Sequence, residues 1–116
     1  MAEEINREDF LLRRLPIQPQ YFRDDNSISS LAFKPRKVDV DGLSVDLERL
    51  TTHAEAILDR TRFRLCRVQA SVPFDLGLEC IHSPKPEEPA HSLVRGNFST
   101  QVRRTLSNSA VLLVEI

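Results

Sequence analysis

His82 and His91 are two of the three histidines in the chain, and they bracket the run His82-Ser-Pro-Lys-Pro-Glu-Glu-Pro-Ala-His91. Paired imidazoles can pass protons near neutral pH or bind a metal ion, so both are candidate acid–base groups. The two-histidine phosphoesterase pattern places Ser or Thr one residue beyond the neighbour of each histidine. Here Ser83 and Ser92 follow directly, and the pattern is not met. A solvated loop histidine is the plain alternative for each.

The arginines are the second group with chemical potential. Arg13 and Arg14 are adjacent, and Arg62, Arg64 and, across the pleat, Arg67 lie on or beside one predicted strand. Guanidinium groups at such spacing can hold a phosphate bidentately. Pairing with carboxylates such as Asp59, Glu79 and Glu115 explains them as well, because 16 basic side chains stand against 17 acidic ones. Ser29, Ser30 and Ser44 interrupt otherwise apolar segments, which suits a pocket lining or an exposed sheet face.

A metal site is the weakest reading. Cys66, Cys80 and His82 can share a sheet face with His91 as a fourth ligand, but the close ligand pairing typical of zinc is missing for the cysteines. No metal and no cofactor is assigned. The three glycines form no phosphate-binding loop.

The elements that must position these residues follow from the pattern along the chain. Three of the seven prolines fall between His82 and His91, so that run is a stiffened loop; each proline fixes φ and removes a donor. Strands are predicted at Ile28–Phe33, Leu43–Val45, Phe63–Ser71, Leu78–His82, His91–Val94 and Val111–Glu115. Phe10–Leu15 is either a strand or a short helix. Thr52 and Glu55 form a capping box for a helix reaching about Arg60. Val72–Gly77 reads as one helical turn, and Asn97 or Ser99 caps a helix from Thr100 to about Ser107.

The expected architecture is α+β: one domain over residues 1–116, with an antiparallel or mixed sheet of about five short strands and two or three short helices. The acidic lead 1–9 is the one segment of the domain expected to be flexible. Net charge is −1, which provides no domain-wide attraction for nucleic acid. The longest apolar run, Ala110–Val114, is far short of a membrane span, and the start of the chain lacks the pattern of a secretory signal. The expectation is a cytoplasmic protein with reduced cysteines and no membrane partner.

The motifs Leu11-Leu-Arg-Arg-Leu-Pro16, Ser29-Ser-Leu-Ala-Phe33, Asp41-Gly-Leu-Ser-Val45, Leu76-Gly-Leu78 and His82-x-Pro…Pro89-Ala-His91 resemble, in that order, a family of small bacterial proteins. The resemblance covers roughly residues 11–95. It implies a stand-alone bacterial domain from a mobile-element or defence setting, and it assigns no activity and no site.

Two functional expectations result. The first is a non-enzymatic binding module acting with a partner protein, because the proline loop is stiff and no catalytic set is complete. The second is a small enzyme acting on a nucleotide or RNA phosphodiester. In it Arg13, Arg14 and Arg67 bind phosphate, Ser29, Ser30 and Ser44 line the pocket, and His82 and His91 move protons. An ADP-ribosyltransferase-like variant of this second expectation lacks an identified catalytic glutamate.

Overall fold

Alternation along Phe10–Pro16 places Leu11, Arg13 and Leu15 on one face and Leu12 and Arg14 on the other. Leu11 and Leu12 are both fully buried, so this strand is covered on both sides. The computed structural model describes residues 2–25, 27–37, 39 and 41–113. In it Phe10–Pro16 (β1), Leu43–Leu47 (β2), Phe63–Gln69 (β3), Glu79–His82 (β4), His91–Arg95 (β5) and Val111–Leu113 (β6) form one antiparallel sheet. Its order is β4-β5-β2-β1-β3-β6. The helices are His53–Ile57 (α1), Ser71–Asp75 (α2) and Thr100–Ser109 (α3). The class is α+β, with six strands rather than about five.

One face carries the main core. Leu11, Leu15, Leu43, Val45, Leu47, Cys66, Val68 and Val94 pack there against Ile28, Ala32 and Phe33 and against Leu106 of α3. The opposite face carries a smaller cluster, in which Leu12 and Leu65 meet Ala56 and Ile57 of α1. The short α1 covers only part of that face. The remainder borders the proline loop.

Several expectations need correction. Ile28–Phe33 is not a strand. Ile28 makes a single bridge to Phe22, and Ser30–Phe33 is a 3₁₀ turn. Ser29 caps it: its hydroxyl donates to the Gln20 carbonyl at 2.6 Å and accepts from the Leu31 amide at 3.3 Å. A short polar side chain beside its own backbone competes with a sheet ladder, and here it prevails. Half of the Thr52–Glu55 capping box forms: the Glu55 amide donates to Thr52 Oγ1 at 3.1 Å, while the Glu55 carboxylate accepts from the Thr52 hydroxyl and not from its amide, and α1 stops at Ile57 instead of reaching Arg60. Ser99 caps α3. Val114 and Glu115 of the expected last strand lie outside the described residues.

The acidic lead is anchored. Ile5 is buried in the main core. Arg49 pairs with Glu3 and with Asp9, and Arg7 pairs with Asp75 at 2.7 Å. The Ala70 and Ser71 amides donate to the Asp9 and Arg7 carbonyls at 2.8 and 3.0 Å, and with the buried Ile5 these bonds hold the lead at the end of β3. Among the described residues no helix is long and apolar enough to cross a membrane.

Where β1 meets β2 the sheet opens. Ladder pairing covers only Leu11 with Leu47 and Leu12 with Asp46, whereas β1 and β3 pair along all seven residues of β1. Arg13 and Asp39 fill the gap. The guanidinium donates to the Ser44 carbonyl at 2.8 Å, and the Asp39 carboxylate accepts from the Ser44 amide at 3.0 Å. Side chains thus replace the missing ladder and leave neither backbone group of Ser44 unsatisfied.

Candidate functional site

The proline loop is an extension of the β4–β5 hairpin. The Ser83 amide donates to the His91 carbonyl at 2.9 Å, and Lys85 and Glu88 exchange two backbone hydrogen bonds around Pro86-Glu87. His82 pairs with Ser92, the neighbour of His91, so strand alternation sends the two imidazoles to opposite faces. Each ties its own arm of the loop to the other arm. His82 Nε2 lies 2.6 Å from the Pro89 carbonyl, and His91 Nδ1 lies 2.9 Å from the Ser83 carbonyl.

These contacts set the tautomers. His82 Nδ1 accepts from the Glu3 amide at 2.7 Å, so its proton sits on Nε2 and is donated to Pro89. His91 carries its proton on Nδ1 and donates it to Ser83. Both rings are buried. Neither is placed to exchange a proton with the other.

Four of the residues singled out by type do meet. Arg13, Arg14, Ser44 and His91 line a cleft at the β1–β2 opening, together with Asp46 and Glu88. The space is about 40 Å³, enough for a few water molecules, whereas small-molecule sites hold about 300–1,000 Å³. Its two β1 arginines are engaged internally. Arg13 is 2% exposed and faces Asp39 across 3.3 Å. Burial pushes the Asp39 carboxyl up, but the Arg13 guanidinium and the amides of Arg36 and Ser44 outweigh it and hold the group below its ordinary value. Arg14 donates to the Ala56 carbonyl at 2.9 Å and lies over the Phe63 ring. Burial raises Asp46 above the usual carboxylate range; Arg14 opposes the rise and Glu88 adds to it.

The other four lie elsewhere. His82 is on the far face. Ser29 and Ser30 belong to the 3₁₀ turn over the main core. Arg67 stacks 3.7 Å from the centre of the Phe10 ring and pairs with Glu48 at 2.8 Å. Glu48 in turn contacts His53 at 2.9 Å. Cys66 on β3 is separated from Cys80 and His82 on β4 by β1, β2 and β5. Among the described residues no group of three His, Cys, Asp or Glu side chains is placed to hold a metal ion.

Asp39, Asp46, Glu88 and Leu58 were not picked out by residue type. Asp46 had a signal, since a charged side chain alternating with apolar ones in Leu43–Leu47 marks the less covered face of a strand. Leu58 had none. It follows α1 with φ 66° and ψ −57°, a conformation that L-residues rarely adopt. The Asp59 amide closes onto the Ile57 carbonyl at 2.8 Å, which makes Leu58 the centre of a strained γ-turn. The side chain is 62% exposed.

Leu58 stands at the boundary of two concavities between α1 and the proline loop. One is a small space of about 80 Å³ that reaches Arg14 and Asp46 under Glu55 and Pro89. The other is an open groove of about 640 Å³ against Lys85, Pro86, Glu87 and Glu88. In comparisons with known proteins, no protein family, no curated protein and no solved structure matches the chain, so the resemblance to small bacterial proteins brings neither a family nor an activity to it.

Proposed function

We propose that this protein is a binding module whose recognition face is the proline loop together with the turn after α1, and that it acts with a partner protein. The observation that carries this reading is the cross-tied loop beside an exposed, strained leucine. A loop already held by His82 and His91 loses little conformational freedom on binding. Strained backbone persists where the surrounding structure enforces it, and such positions concentrate at ligand clamps and switch regions. The resemblance to small bacterial proteins is the ground for placing the module in a bacterial, mobile-element or defence setting.

The test is site-specific photocrosslinking in cells that make the protein natively. A photoreactive residue at Glu87, on the loop, is compared with one at Gln101, exposed on α3. A discrete adduct at position 87 and none at 101 is the expected result. Adducts at neither position, or equal adducts at both, overturn the reading.

The sharing of one cleft by Arg14, Ser44 and His91 is the single observation that favours the phosphodiester-enzyme alternative. Hydrolysis of an RNA or dinucleotide substrate that is lost in His91→Ala and Arg14→Ala would establish it.

A further inference from the structure

The face between α1 and the proline loop is acidic around an apolar centre. Glu55 and Glu87 are exposed at its rim, and Glu88 and Asp46 lie deeper. Against them stand Arg14, already bonded to the Ala56 carbonyl, and Lys85 on the loop. Four carboxyl groups line these two concavities against two cations; Asp46 and Glu88 also border Arg13 and Arg36 in the β1–β2 cleft, which leaves Glu55 and Glu87 as the outward-facing acidic rim. Leu58 borders both concavities and is one of four large apolar residues that are well exposed among the described residues.

A glycine at position 58 would take φ 66° without strain, and a polar residue there would be better solvated. The chain has neither. Resting on the docking-face reading above, we infer that the partner presents a basic segment with an apolar side chain, which seats against Leu58 and the proline loop while its Lys or Arg side chains meet Glu55, Glu87 and Glu88. An apolar anchor inside a charged rim is the arrangement in which a few central residues carry affinity and the rim sets specificity and approach.

Four probes test the chemistry on the full chain: a short peptide alternating Lys and Leu, its Glu–Leu counterpart, a Lys–Ser peptide with no apolar side chain, and a single-stranded RNA. Affinity is measured by titration and mapped by backbone amide shifts. The Lys–Leu peptide is expected to bind, with amide shifts confined to residues 55–59 and to Lys85, Glu87 and Glu88, and the other three at least about tenfold more weakly. Leu58→Ala weakens the Lys–Leu peptide about tenfold, and Glu55→Gln with Glu87→Gln flattens its salt dependence. Leu58→Gly is the decisive variant: it is expected to melt no lower than the native protein and yet to lose binding, because it removes both the strain and the anchor.

Equal affinity for the Glu–Leu peptide or the RNA, shifts elsewhere on the molecule, no binding of any peptide, or full binding by Leu58→Gly overturns the inference. So does concentration-dependent self-association that covers the same residues, since the occupant is then a second copy. If crosslinking at Glu87 succeeds while the Lys–Leu peptide fails, the docking face stands and the partner chemistry falls. If both fail, both readings fall.

Discussion

His82 and His91 lie one register step apart on neighbouring strands, yet they point to opposite faces, and each donates to a carbonyl on the other's arm of the proline loop. The loop is thereby tied from both sides of the sheet. Removing either imidazole leaves a carbonyl without its donor, which costs about 1–3 kcal/mol.

His82→Ala and His91→Ala are therefore each expected to destabilise the protein by that amount and to speed hydrogen exchange at Lys85 and Glu88. Because both rings close the same loop from neighbouring strands, the double variant should depart from additivity. His82→Gln can present its amide near the position of Nε2, and His91→Asn near that of Nδ1, so these should recover part of the loss. Chemical denaturation with amide exchange reads both effects.

Arg13 and Asp39 stand in for the ladder where β1 and β2 part, and their charges are buried together. Removing one partner strands the other, so Asp39→Ala should cost about 3–5 kcal/mol. The pH dependence has a definite sign. The folded-state value of Asp39 is lowered, so its contribution is present above the unfolded carboxylate value and is lost as pH falls through the folded one. The stability gap between the native protein and Asp39→Asn should therefore shrink on acidification, as melts across an acid pH series would show. A gap that stays constant contradicts this assignment.

Asp46 has the opposite sign. Burial raises its folded value, so ionisation opposes folding above that value, and the penalty disappears as pH falls below the unfolded one. Asp46→Asn should be more stable than the native protein at neutral pH, and the difference should vanish in acid. Parallel thermal melts of the two proteins measure it. A variant that is less stable at neutral pH rules this out.

The cysteines are chemically quiet. Burial pushes the Cys66 thiol up to about 12, and burial also pushes Cys80 up to about 12. Little thiolate exists at neutral pH, and the thiolate is the reactive form. A colorimetric thiol reagent should label neither cysteine in the folded protein over minutes and both after denaturation. Fast labelling of Cys80 in the folded state would contradict the raised value.

Much of the local structure could be read from residue types. Alternation along Phe63–Gln69 assigned its two faces, with Cys66 and Val68 to one side and Leu65 to the other, as the core clusters show. Thr52 starts α1 as its cap, and of the two cap candidates Asn97 and Ser99 it is Ser99 that starts α3. Three prolines made the segment between His82 and His91 a stiff loop. These features depend on neighbours in the chain, and short-range sterics and hydrogen bonding are enough to specify them.

What meets across the sheet depended on strand order and register. Arg13 and Arg14 are adjacent in sequence, but the pleat sends one into a buried pair with Asp39 and the other over Phe63. The Ser29 hydroxyl found the Gln20 carbonyl and made a turn where a strand was expected. His82 and His91 were legible as the ends of one loop, whereas their faces followed from the pairing of His82 with Ser92. The exposure of Leu58 and its strained turn had no local signal at all, because nothing in the types around Ile57-Leu58-Asp59 requires a positive φ. Residue types along one stretch of chain specify the stiff loop, the helix caps and the two faces of β3. Strand order and register set which side chains meet across the sheet, because a single step of register moves every side chain to the other side.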